Sequence, residues 1–95
     1  MNINEIIERE QGNYYDVEVY QPIFSNDDYH ARGLHTDFID YVEDYTGTEE
    51  VIKWAIMGED DYNNSILANC CVQFDEIYEK NDKILVILIS KKEML

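Results

Sequence analysis

The residues of this chain with the most chemistry to offer are its acids, and they come in groups with tyrosines among them. Asp27 and Asp28 precede Tyr29. Asp37, Asp40, Glu43 and Asp44 recur around Tyr41, and Glu59, Asp60 and Asp61 lead into Tyr62. On a helix, carboxylates three and four residues apart share a face and repel one another mildly. Among Asp37, Asp40, Glu43 and Asp44 none has a basic residue at that spacing to relieve the cost. Such a face is either simply solvated or shaped to meet something positive. Tyrosine beside acids suits an interface, because its ring adds rigid contact area that charge alone lacks.

Other chemistry is poorly supplied. His30 and His35 are five residues apart across a turn signal at Gly33, which is not the helical spacing of a zinc pair, and no further histidine exists. Asp61, Asn63 and Ser65 match the first, third and fifth positions of a calcium loop. Ile66 stands at the sixth position where glycine is needed, and Val72 at the twelfth where glutamate is needed. Cys70 and Cys71 are adjacent in an apolar run. In a strand they point to opposite faces, and no strand-to-helix elbow exposes either as a nucleophile. Paired acids such as Asp27 with Asp28 or Asp60 with Asp61 could line a cleft for acid–base work, but with this many acids such pairs arise by chance. There is no glycine-rich phosphate loop. These absences predict a protein that is not an enzyme, with no catalytic residues, no metal and no cofactor.

Charge narrows the class of partner. The chain has 95 residues, with 21 acids against seven lysines and arginines, a formal net charge of -14. A small domain typically carries roughly 2–8 units. A field of this sign repels nucleic acids and anionic membranes and steers the protein towards basic grooves. The excess is regional. Residues 27–61 hold eleven acids and only Arg32 and Lys53 as bases, whereas residues 80–95 hold four lysines against Asp82 and Glu93. No run of 18 apolar residues predicts a membrane span. No basic flank followed by an apolar run marks a secretory leader, and two adjacent cysteines do not make a disulfide scaffold. A cytoplasmic, reducing setting is expected.

The elements that must position these groups follow from the hydrophobic pattern. A 45% apolar fraction in 95 residues predicts a single acidic domain over 1–95 with one core. Asn2 caps a short helix over 2–9, with Glu5 completing a capping box and Ile3, Ile6 and Ile7 forming its stripe. Gly12 ends it. Residues 15–24 read as a strand, with Tyr15, Val17 and Val19 on one face and Asp16, Glu18 and Tyr20 on the other; Pro22 marks the end of pairing. Residues 34–45 read as a helix, since Leu34, Phe38, Tyr41, Val42 and Tyr45 fall within about 100° of arc opposite Asp37, Asp40, Glu43 and Asp44. Residues 50–57 read as a buried strand, with Trp54 in the core, and 58–64 as a polar loop. Residues 65–74 read as a partner strand, 75–81 as a turn or single helical turn, and 84–89 as an aliphatic central strand. The order is α-β-α-β-β-(short α)-β. It implies an α+β domain in which one sheet of three to four strands is packed by two short helices.

The opening Met1-Asn2-Ile3-Asn4-Glu5-Ile6-Ile7-Glu8-Arg9-Glu10 resembles the first helix of small phage-encoded inhibitors, among them type II-A anti-CRISPR proteins that block a CRISPR effector nuclease. Residues 5–12 also resemble the start of the phage inhibitor of uracil-DNA glycosylase, although Val17-Glu18-Val19-Tyr20 stands where that family has its Glu-Ser-Ile strand signature. A third stretch is similar to the plasmid antirestriction family. It comprises Tyr29-His30-Ala31-Arg32-Gly33-Leu34-His35-Thr36-Asp37-Phe38-Ile39-Asp40, then Glu49-Glu50 and Trp54-Ala55-Ile56. That family has Tyr-Asn-x-Gly-x-Leu-His-Gly-x-Trp-Ile-Asp before Glu-Glu-Trp-Ala-Ile-His-Asp. Here His30, Thr36, Phe38 and Met57-Gly58 depart from it. All three resemblances imply acidic decoys of DNA.

The expectation from the sequence is therefore a non-catalytic inhibitor, a nucleic-acid mimic that occupies the basic groove of a host defence or DNA-processing enzyme. Its partner-binding residues would be Asp27, Asp28, Tyr29, Asp37, Asp40, Tyr41, Glu43, Asp44, Glu59, Asp60, Asp61 and Tyr62. The partner would be a basic nucleic-acid-binding protein or nuclease, with no direct contact to nucleic acid or membrane; a homodimer is compatible with this surface. An immunity protein that neutralises a basic nuclease toxin would share every one of these features. A regulatory component of a phage or mobile element, with no such enzyme target, is a third class. It differs in predicting no salt-sensitive association with a basic enzyme.

Overall fold

The structure is a computed structural model, and it describes residues 1–21, 40–64 and 73–90. The chain runs α1 (Ile3–Arg9), β1 (Asp16–Gln21), β2 (Asp40–Tyr41), β3 (Val51–Met57), α2 (Glu59–Asn63), α3 (Phe74–Ile77) and β4 (Ile84–Ile89). The strands form one mixed sheet in the order β2-β1-β4-β3. β4 runs parallel to β1 and antiparallel to β3, and β1 pairs antiparallel with β2. The domain is α+β, as its pattern of elements predicts.

Six consecutive aliphatic residues, Ile84 to Ile89, have no polar face to offer water, so β4 lies inside the sheet with every side chain fully buried. Alternation then sends its residues to two cores. On one side Leu85, Ile87 and Ile89 meet Val19 of β1 and Ile3 and Ile6 of α1. On the other, Ile84, Val86 and Leu88 meet Tyr20 of β1, Tyr62 of α2 and Phe74 of α3. The sheet is thus covered on both faces, which lets a strand as polar as Asp16–Gln21 contribute buried residues to each.

α1 starts where the capping box places it. The Asn2 side chain accepts from the Glu5 backbone N–H at 2.9 Å, and the Glu5 carboxylate accepts from the Asn2 N–H at 3.0 Å. Two more N–H groups of its first turn are satisfied by the loop before β3: Ile3 donates to the Glu49 carbonyl at 3.2 Å and Asn4 to the Gly47 carbonyl at 2.9 Å. Gly47 sits at φ +95°, and a Cβ there would run into the Asn4 side chain, so this close approach requires glycine. Glu49 holds the loop from within by accepting the N–H groups of Thr46 and Gly47, each at 2.8 Å. Burial opposes ionisation of this carboxyl, but N–H donors from Thr46, Glu49 itself and Gly47, with the Thr46 hydroxyl, prevail and lower its pKa to about 2.

Three expectations are corrected. The helix expected over 34–45 is absent across its described part: Asp40 and Tyr41 form β2, and 42–45 are loop. Pairing with β1 overrides the helical spacing. Tyr41 lies opposite Tyr20, the Val42 N–H donates to the Val19 carbonyl at 2.8 Å, and Val42 is buried between exposed Tyr41 and Glu43. Residues 34–39 lie outside the described residues. The polar stretch after β3 is the helix α2 rather than a loop. Its first turn holds Glu59, Asp60 and Asp61, which the helix dipole favours, and Tyr62 anchors it in the core. Phe74 opens α3 instead of closing a strand, while 65–72, including Cys70 and Cys71, lie outside the described residues. The described residues contain three helices, α3 falling where a single helical turn is expected and α2 where a loop is. Trp54, expected in the core, packs half-buried against the cluster beneath α1, with the Arg9 guanidinium 5.9 Å from its ring centre.

Candidate functional site

β1 places Asp16, Glu18 and Tyr20 on one face because residues two apart on a strand point the same way. Over that face α2 brings Tyr62, the residue after α3 brings Tyr78, and β2 brings Tyr41 alongside Tyr20. Together with Ile77 these side chains line a cleft of about 430 Å³. Its floor is Glu18, the one charged residue buried among the described residues, only 5% exposed.

A carboxylate removed from water costs several kcal/mol unless donors replace the lost hydration. Here three phenols do so. Tyr20 and Tyr62 donate to Glu18 Oε1 at 2.5 and 2.8 Å, and Tyr78 donates to Oε2. The Tyr78 hydroxyl also lies 3.2 Å from Asp16 Oδ2, while Asp16 Oδ1 accepts the Val17 N–H at 2.8 Å. Among the described residues no buried side-chain nitrogen or oxygen lacks a partner. Burial first, and then the bond to Glu18, push the Tyr20 and Tyr78 phenols far above the ordinary tyrosine range. Tyr41 is raised as well, by burial and then by the charges of Glu18 and Asp16. These hydroxyls accordingly keep their protons at neutral pH.

Edge-on ring contacts stiffen the walls. Tyr20 and Tyr41 meet with centroids 5.5 Å apart, Tyr62 and Phe74 at 5.4 Å, and Tyr62 and Tyr78 at 6.2 Å. Tyr15, largely exposed, extends the aromatic surface outward by an edge contact to Tyr78 at 6.3 Å. The cleft therefore joins two carboxylates to an aromatic wall, and its described lining contains no basic residue.

The residues expected to meet a partner are dispersed. Asp27, Asp28, Tyr29 and Asp37 lie outside the described residues, as do His30 and His35. Asp40 is a backbone partner of Gln21 in the sheet. Glu43 and Asp44 are exposed in the loop after β2, off any helical face. Glu59 is half-buried and Asp60 and Asp61 exposed on α2, where they share a shallow depression with Lys80 and Lys83. Nearby cations thus temper the most compact acidic run. Tyr62 corrects the expectation of a surface contact: it is 1% exposed, held in the core by Phe74 and Glu18. Tyr41 is both in reach of solvent, at 46% exposure, and part of the cleft.

Sequence reasoning missed Asp16, Glu18, Tyr20 and Tyr78. The available signal was Asp16-x-Glu18-x-Tyr20, which puts two carboxylates and a phenol on one strand face in a chain too short to leave both faces open. No group of three His, Cys, Asp or Glu side chains suited to a metal occurs among the described residues, and none of their helices is long and apolar enough to cross a membrane. No protein family, curated protein or solved structure matches the chain.

Proposed function

We propose that this chain is a non-catalytic inhibitor that imitates nucleic-acid charge and occupies the basic groove of a host defence or DNA-processing enzyme, such as a CRISPR effector or a restriction enzyme. The observation that carries the reading is the net charge of -14 combined with where its acids stand. Of the acids whose burial is described, all but Glu18 reach solvent, and the described bases are only Arg9, Lys53, Lys80 and Lys83. Duplex DNA carries a charge about every 1.7 Å of its axis, and proteins that grip it line their grooves with arginine and lysine. A compact body bearing this density of carboxylates is steered into the same grooves and leaves nothing there to cleave.

The reading is tested by immobilising the protein, capturing a partner from a bacterial lysate, and challenging the complex with a DNA duplex. The expected partner binds DNA on its own, loses that activity when this protein is added, and is displaced by excess duplex. A captured protein that binds DNA and this chain simultaneously contradicts the reading.

A further inference from the structure

β3 is an outer strand of the sheet, with β4 on one side. Two bonds of the β4 segment fix which backbone groups of β3 that pairing uses. The Lys83 carbonyl accepts from the Tyr15 N–H at 2.6 Å, towards β1, and the Ser90 N–H donates to the Glu50 carbonyl at 3.3 Å, towards β3. Backbone groups alternate in direction along a strand, so the odd-numbered residues of β4 bond β1 and the even-numbered ones bond β3. Leu88, Val86 and Ile84 stand opposite Lys53, Ala55 and Met57. Those residues of β3 therefore face β4, and Trp54 and Ile56 turn their N–H and C=O groups to the outside.

The same edge already accepts extended chain at its start. The Val51 N–H donates to the Met1 carbonyl at 2.9 Å and the Ile3 N–H to the Glu49 carbonyl at 3.2 Å, an antiparallel bridge centred on Asn2 and Glu50. Among the described residues no strand continues this pairing past Val51. Edge strands are usually blunted by charge, proline, brevity or a bulge. The seven residues of β3 carry one charge, Lys53, and the bulge between Val51 and Lys53 lies before Trp54. Beyond it both faces are apolar, with Trp54 and Ile56 packed on the cluster beneath α1 and Ala55 on the one beneath α2. Alongside lies a depression of about 380 Å³ lined by Ala55, Ile56, Met57, Asp61 and Asn64. The one charge in this described lining is the exposed Asp61 carboxylate; Lys80 and Lys83 line the neighbouring depression instead.

We propose that the outer edge of β3 docks an extended basic segment of a partner protein, added antiparallel as Met1–Ile3 is. Apolar residues of that segment stand opposite Trp54 and Ile56, and a lysine or arginine between them, opposite Ala55, reaches Asp61. In this mode main-chain hydrogen bonds supply affinity and alternate side chains supply selectivity. A basic segment suits the edge better than a second copy does, because two chains of net charge -14 repel one another. The inference goes beyond the inhibitor reading and does not depend on it, since such an edge serves a partner of any activity.

The test is amide hydrogen exchange, read by NMR, on the full chain titrated with acetyl-Thr-Val-Lys-Val-Thr-amide. Matched peptides carry glutamate for lysine, or N-methyl groups on both valines. Without peptide the Trp54 and Ile56 N–H groups should exchange rapidly at every protein concentration, while that of Ala55, bonded to β4, is protected. At saturation the lysine peptide should slow exchange at Trp54 and Ile56 at least about fivefold, the glutamate peptide less and the N-methylated peptide not at all. Ile56→Pro removes an outward N–H and should abolish the effect, with Ala55 protection reporting that the variant folds. Asp61→Asn leaves the backbone edge intact, so it serves should proline disturb the sheet; it should reduce the preference for lysine over glutamate. Protection of Trp54 and Ile56 without peptide overturns the proposal: at every concentration it puts another segment of this chain on the edge, and growing with concentration it puts a second copy there. Equal response to the N-methylated or glutamate peptide, an undiminished response in folded Ile56→Pro, or a lysine preference unchanged by Asp61→Asn also overturns it. Displacement of a captured partner by duplex DNA tests the inhibitor reading separately.

Discussion

Replacing Glu18 by leucine tests the central polar cluster most sharply. The change removes the acceptor of three hydroxyls while keeping an apolar side chain of similar size. Tyr20 and Tyr62 are each 1% exposed and donate to Glu18 Oε1, so both hydroxyls lose a partner in a place water does not freely reach. Each such group costs about 1–3 kcal/mol. Tyr78 is less buried and keeps Asp16 as an acceptor, so it adds little. Glu18→Leu should therefore destabilise the protein by about 2–6 kcal/mol. For a domain of this length each kcal/mol lowers Tm by roughly 4–8 °C. The assay is urea unfolding followed by the fluorescence of Trp54, the single tryptophan, with circular dichroism as a second probe. A second arm adds Tyr20→Phe and Tyr62→Phe to Glu18→Leu. Because the cost lies in buried hydroxyls deprived of the Glu18 acceptor, the triple variant should recover at least about 1 kcal/mol relative to Glu18→Leu alone. A loss below about 0.5 kcal/mol for Glu18→Leu, or further destabilisation in the triple variant, refutes the reasoning.

Further predictions concern the loop that anchors α1. The Glu49 pKa is depressed to about 2 in the folded protein, below its unfolded value, so its ionised form stabilises the fold at neutral pH. That contribution is present above the unfolded pKa of about 4.3 and is lost as pH falls through the folded value near 2. Glu49→Gln should consequently cost about 1–2 kcal/mol at pH 7, after allowance for its partial exposure, and much less near pH 2; urea midpoints at the two pH values measure the difference. Gly47→Ala should destabilise more than Gly12→Ala. Both residues have positive φ, at +95° and +90°, but a Cβ at Gly47 meets Asn4 whereas one at Gly12 meets open space. The expected costs are about 1–2 kcal/mol at Gly12 and more at Gly47, read from the same unfolding curves.

Local signals made part of this structure legible. The Asn2–Glu5 capping box and the apolar Ile3 and Ile6 specify α1 within a few residues, and both its hydrogen bonds are formed. The unbroken run Ile84–Ile89 could only be a strand covered on both faces. β1 has the faces its alternation predicts, with Asp16, Glu18 and Tyr20 together. Where the reading failed, the deciding contact was distant in the chain. Tyr41, Val42 and Tyr45 fit a helical stripe, but Val42 with Val19, and Tyr41 opposite Tyr20, commit the segment to the sheet. Phe74 suits a strand by type, yet its N–H accepts its place at the start of α3 by donating to the Asn63 side chain at 3.0 Å.

The same physics hid the candidate site. Glu18 is recognised by Tyr62 across 44 residues and by Tyr78 across 60, and no short motif announces such a meeting. Counting acids along the chain drew attention to residues 27–61. Among the described residues of that region, the α2 acids turn out to share their surroundings with Lys80 and Lys83. The cleft is instead floored by β1, whose two acids Asp16 and Glu18 are separated by Val17. Regional charge density therefore points along the chain to residues 27–61 and gives no sign of the cleft over β1.

The salt dependence of the complex tests the account most directly. Affinity for the captured DNA-binding partner should be measured at several salt concentrations between about 50 and 200 mM, by a method that reports the dissociation constant. The account predicts a steep linear fall of log affinity with log salt, with the slope reduced when exposed acids are neutralised. An affinity that stays constant across this range, with a partner that binds through apolar contacts alone, contradicts it.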